Sequence, residues 1–137
     1  MSDANADTPQ PDADVIELAT KIFDLARQGD AATLAAYLDA GVPLDLTNAR
    51  GDGLLMLAAY HGHRDATKVL LDRGADPDKT NDAGQTPLAG AVFKGDADLI
   101  RDLLAAGASP DAGAPTAREA AEMFGQTHLL ELFGPRA

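Results

Sequence analysis

The chain contains no cysteine and no tryptophan. Without thiols there is no disulfide framework and no thiolate nucleophile. Serine is nearly missing as well. Ser2 and Ser109 are the only two, and neither has a histidine close by in sequence, so a serine nucleophile lacks its base. Cations are scarce, with 11 Lys and Arg against 22 Asp and Glu for a net charge of −11. Phosphate backbones are bound by clustered Lys and Arg; no such cluster occurs, so neither nucleic acid nor an anionic membrane is expected as a partner. No apolar run approaches the roughly 18 residues of a membrane span. The opening "MSDANADTPQPDAD" has neither the basic start nor the apolar stretch of a secretory signal, which predicts a cytoplasmic location. The glycines form neither a GxGxxG fingerprint after a strand nor a GK[ST] phosphate loop. Together these absences predict a protein that is not an enzyme and carries no cofactor.

What is present is small and periodic. The chain is 45% hydrophobic but only 4% aromatic, and much of the apolar share is alanine, which suits closely stacked helices better than a large central core. Residues 1–14 are polar, with Asp3, Asp7, Asp12, Asp14 and two prolines, and are expected to form a disordered acidic tail. A repeat domain is expected over 15–137. Gly29, Gly62 and Gly95 lie 33 residues apart, as do Gly41, Gly74 and Gly107. Between them run "GDAATLAAYLDAG", "GHRDATKVLLDRGAD" and "GDADLIRDLLAAGASPD". A period of this length that reads helix, turn, helix belongs to a stacked solenoid.

Local chemistry marks the element ends. "LLMLAAYHG" and "RDATKVLLDRG" each present one apolar helical face and stop at glycine. "ADPDKTNDAG" has the composition of an extended turn. Thr86 is placed to cap the next helix, with Pro87 at its first position, where a missing N–H costs nothing. Asp96 is placed to cap the helix after that, and Thr116 with Glu119 forms a capping box. Gly53-Leu54 stands where the third unit has Thr86-Pro87, at an expected cost of a few tenths of a kcal/mol. Gly90 inside a helix should cost about 1 kcal/mol relative to alanine.

"RGDGLLMLAAYHGHRDATKVLLDRGADPD" and "AGQTPLAGAVFKGDADLIRDLLAAGASPD" resemble the ankyrin repeat, whose pattern is Gly-x-Thr-Pro-Leu-His-x-Ala-Ala-x-x-Gly-His followed by x-x-Val-x-x-Leu-Leu-x-x-Gly-Ala. The resemblance covers roughly residues 17–133. It implies an all-α solenoid of about four stacked helix–turn–helix repeats linked by β-hairpin-like loops, over about 15–47, 48–80, 81–112 and 113–134. The first unit lacks Thr-Pro-Leu-His, as a cap would. In the last unit Gly95 to Gly125 is 30 residues, so its hairpin is predicted to be cut down.

His61, His63 and His128 do not complete a tetrahedral set, and "ADPDKTND" lacks the central Gly and terminal Glu of a calcium loop, so no metal is expected. The resemblance implies a non-catalytic protein-binding module, with partners docking on the concave side at hairpin tips and at residues just before each helix-ending glycine. By position the tips are Ala49, Arg50 and Asp52, then Asp82, Ala83 and Gln85. The columns before the glycines are Arg27, Tyr60, Phe93, Met123 and Gln28, His61, Lys94, Phe124. Three of the six aromatics fall in these columns, and they are expected to form an exposed stripe; Phe23, Tyr37 and Phe133 are expected in the core. Arg50, His61 and Lys94 would select an acidic or polar stretch of an unidentified protein partner of a monomeric chain. The alternative is an acidic inhibitor or nucleic-acid mimic acting through its negative surface.

Overall fold

The computed structural model describes residues 13–135. The acidic segment predicted over 1–14 lies outside these up to residue 12, whereas Ala13 and Asp14 form the first turn of a helix. Eight α-helices follow in chain order: α1 (Ala13–Gln28), α2 (Ala31–Asp39), α3 (Leu54–Tyr60), α4 (Arg64–Asp72), α5 (Pro87–Lys94), α6 (Ala97–Ala105), α7 (Ala117–Met123) and α8 (Leu130–Phe133), the last entered through a 3-10 turn at Thr127–Leu129. Odd-numbered helices form an inner row, α1 on α3 on α5 on α7, and even-numbered helices an outer row behind them.

The caps behave as their residue types require. Thr86 accepts from the Ala89 N–H, Asp96 from Leu99 and Asp30 from Thr33. Thr116 and Glu119 close the reciprocal capping box. Gly53 caps α3 without a side-chain bond. Inner helices are flanked on two sides and backed by an outer helix, so nearly all of α3 and α5 is buried, from Leu54 to Ala59 and from Pro87 to Val92. Alanine and glycine permit this closeness. A Cβ on Gly90 would meet Met56 and Tyr60 of α3 at 3.4 Å, ordinary contact, so the glycine is compatible with close packing but not required by it. Phe23 and Phe133 are core residues, while Tyr37 is half-buried with the Lys21 ammonium 5.4 Å above its ring.

The period-marking glycines are held between repeats. Gly29, Gly62 and Gly95 end the inner helices at φ of 79°, 79° and 77°, a left-handed conformation that costs glycine nothing. Each lies under a side chain of the following unit: His63, Lys94 and Gln126 respectively. Gly125 follows α7 in the same conformation (φ 69°), and the residue after each of these four glycines takes one of two roles. Asp30 and Asp96 cap their own outer helix, whereas His63 and Gln126 reach back to the previous inner helix. His63 Nε2 lies 2.6 Å from the Arg27 carbonyl, and Gln126 donates to the Val92 carbonyl at 3.0 Å.

The hairpin loops contain no strand among the described residues, only isolated bridges at Thr47–Gly53 and Gly113–Thr116. Their organiser is asparagine. The Asn48 side-chain oxygen accepts from the Arg50 and Asp52 N–H groups, and Asn81 does the same for Ala83 and Gln85. Asn81 also donates to the Asp52 carboxylate at 2.8 Å. Successive tips are joined by backbone bonds, from Asp82 N–H to the Arg50 carbonyl and from Ala114 N–H to the Gly84 carbonyl. One period beyond Asn81 stands Ala114, and this third loop is the shortened one that the 30-residue step predicts.

Ion pairs link the outer row. Arg73, which caps the end of α4, holds Asp39 of α2 through two bonds of 3.0 and 3.1 Å, and Arg64 of α4 holds Asp102 of α6 at 2.8 and 3.1 Å. Bonding to Arg73 keeps the Asp39 carboxyl below its ordinary range. Buried Arg118 donates to the Asp111 carboxylate and to the Gly134 and Pro135 carbonyls, closing the last unit. Two substitutions test this account by urea denaturation. Asn81→Ala removes the acceptor of both turn-ordering bonds and the tie to Asp52, and is expected to cost about 2 kcal/mol. Thr67 of α4 is fully buried and its hydroxyl has no partner among the described residues; Thr67→Val should therefore stabilise by about 1 kcal/mol.

Candidate functional site

The concave face is built from the C-terminal ends of the inner helices and from the hairpin wall opposite. Tyr60 ends α3, Phe93 is the last but one residue of α5, and Phe124 follows α7. The Tyr60 and Phe93 rings stack nearly parallel (8°) with centroids 5.1 Å apart, and Phe124 meets Phe93 edge-on at 5.6 Å. These spacings lie in the favourable range for aromatic pairs. Stacking does not bury them: Tyr60 remains 38% exposed, Phe93 52% and Phe124 50%. The columns therefore cross in the last unit. Phe124, not Met123, continues the ladder from Phe93, and Met123 stands beside it at 69% exposure.

Two adjoining hollows lie along this ladder. A depression of about 910 Å³ with a mixed lining is walled by Arg27, Arg50, Asp52, Leu57, His61 and Asp82, among others. An apolar cleft of about 200 Å³ follows, lined by Ala89, Gly90, Phe93, Pro115, Ala120 and Phe124. Both share Met56, Tyr60 and Gln85, so Tyr60 is the junction. Arg50, Asp82 and Gln85 are exposed on the hairpin wall, and His61 and Lys94 are exposed at the helix ends.

Asp52 departs from its expected position. It was expected as a tip contact, but it is 9% exposed, because Asn81 of the next hairpin draws its carboxylate into the loop framework. The sequence signal for this is the Asn48–Asn81 pair, one period apart, which marks the turn-ordering position and accounts for the neighbouring acid. His61 and His63 come within 6.4 Å ring to ring, but His63 is committed to the Arg27 carbonyl, which requires its Nε2 to carry the proton. Among the described residues no group of three His, Cys, Asp or Glu is placed to hold a metal ion. In "ADPDKTND", Asp76 accepts from the Asp78 N–H and Asp78 from the Ser109 N–H, so both carboxylates order the loop.

A family model of ankyrin repeats, three copies, matches residues 22–114. The chain belongs to the ankyrin repeat family. It is also similar to a Pseudomonas aeruginosa protein that carries an ankyrin repeat description, 48% identical over 65 residues, or 46% of this chain and 38% of that relative. The matched stretch thus spans well under half of the relative. Ankyrin repeats are in general protein–protein interaction modules, and no helix among the described residues is long and apolar enough to cross a membrane.

The electrostatics of the site centre on His61. Partial burial lowers its proton affinity below the ordinary histidine value, and His63, Arg27 and Lys94 lower it further. The folded state thus favours the neutral ring. Its contribution to stability is present above the unfolded midpoint near 6.5 and is lost as pH falls from there through the folded midpoint. An NMR titration should place the His61 midpoint below that of a model histidine, and Lys94→Ala should raise it.

Proposed function

We propose that this chain is a non-catalytic binding module, working as a cytoplasmic monomer, that holds a segment of a partner protein along its concave groove. The observation that carries the reading is the Tyr60–Phe93–Phe124 ladder: three rings in successive contact, each left 38–52% exposed on a chain of net charge −11. Exposed aromatic clusters are favoured at the centres of interfaces, where they supply most of the affinity. The hairpin wall opposite is ordered by Asn48 and Asn81, so little conformational freedom remains to be lost on binding. Arg50, Asp82, Gln85, His61 and Lys94 supply the polar rim, with Met123 and Phe124 at the far end.

Replacing Tyr60 and Phe93 together by alanine is expected to abolish capture of the partner from native-cell lysate, each ring contributing about 2 kcal/mol. The far-UV CD melt should move little. Retained capture by a folded double variant would refute the groove. The alternative, an acidic inhibitor or nucleic-acid mimic, requires a basic partner and a steep fall of binding with salt; a salt titration of the captured complex separates the two.

A further inference from the structure

We infer that Gly90 is a specificity-determining residue of the groove: the side chain it lacks opens the apolar cleft beside Tyr60, which receives one uncharged aromatic side chain of the partner segment. This rests on the concave groove being the docking site.

Gly90 weakens its own helix with no return in packing. It lies in the middle of α5 with helical backbone, where glycine is less favourable than alanine because it has more freedom to lose. No left-handed turn requires it. The fit against α3 does not require it either, since a Cβ would meet Met56 and Tyr60 at an ordinary 3.4 Å. The repeat supplies a comparison. One period earlier the same position is Leu57, and in the shortened last unit, 30 residues later, it is Ala120. Leu57 is buried and lines the larger hollow, whereas Gly90 and Ala120 line the cleft. The column loses a whole isobutyl group between the second unit and the third, and the cleft lies where that group is missing. The atoms that a Cβ at position 90 would meet belong to Met56 and Tyr60, themselves part of the lining. A side chain there would take up the space of the cleft.

Size and charge define the occupant. At about 200 Å³ the cleft is smaller than the roughly 300–1,000 Å³ of small-molecule sites, and it suits a single side chain. None of its lining residues is charged, although 24% of the chain is. A carboxylate or ammonium placed here would lose water and find no counter-ion, which is strongly unfavourable. Phe93 and Phe124 meet edge-on at 5.6 Å and each is about half exposed, so both offer free ring surface to a third ring. The complementary group is a phenylalanine side chain.

The test uses the full chain and peptides of the form acetyl-Gly-Ser-X-Ser-Gly-amide, with X as Phe, Ala, Asp or Lys, read by the chain's amide NMR signals. The Phe peptide should shift Gly90, Phe93, Ala120 and Phe124 saturably, and the other three should bind at least about ten-fold more weakly. Gly90→Ala adds one methyl group; it should raise the urea midpoint while weakening the Phe peptide by about ten-fold. Gly90→Leu, which restores the residue of the preceding unit, should abolish binding, and Gly90→Ala carries the test alone if that variant fails to fold. A lowered urea midpoint for Gly90→Ala would mean that the glycine serves helix packing, and overturns the proposal. So does absent binding of the Phe peptide, or equal binding of the Asp or Lys peptide. If the Gly90 variants bind as the native chain does while Tyr60→Ala with Phe93→Ala loses binding, the role of Gly90 fails and the groove stands. If that double variant is folded and still binds, the groove fails with it.

Discussion

No unit of this chain can bury its own apolar surface, and the rest of the structure follows from that constraint. Each inner helix is only seven or eight residues long after the first, far below the length at which an isolated helix persists in water. It exists because a neighbour covers it on either side. Small side chains make the approach close enough: Ala58, Ala59, Ala91, Ala117 and Ala121 are all fully buried. The stack is therefore stabilised between units more than within them, as expected of a one-dimensional array.

Polar bonds fix the alignment that apolar contact alone would leave loose. The turn glycines of one unit are covered by His63, Lys94 or Gln126 of the next, and the carbonyls that end α1 and α5 receive bonds from His63 and Gln126. On the outer row, guanidinium forks span α2 to α4 and α4 to α6. On the hairpin side, one backbone bond joins each tip to the next. Each junction carries at least two of these three lines of attachment, which fix the orientation of each unit on its neighbour and with it the ring contacts on the concave face.

The helices, their caps and the shortened last unit could be read from residue spacing because they are local: a hydroxyl or carboxylate next to a helix start, a glycine just past its end, a three-residue deficit between glycines. The aromatic columns could also be indexed from those glycines. What spacing does not convey is which partner a polar side chain takes across units. Asp52 has the composition and position of a tip residue, and only the reach of Asn81 buries it. The crossing from Phe93 to Phe124, with Met123 left aside, likewise depends on how the last unit sits on its neighbour, which a period of glycines does not encode.

A perfectly periodic groove has translational symmetry, so a partner that fits it in one register fits it almost as well one repeat along. This chain breaks that symmetry at both ends. Arg50 has no basic counterpart on the next tip, where Ala83 stands one period on. The third tip position is already the shortened loop at Ala114 and Pro115, without an ordering asparagine. For a segment held in the proposed groove, sliding by one unit would exchange Arg50 for Ala83 at one end and the asparagine-ordered wall for the shortened loop at the other.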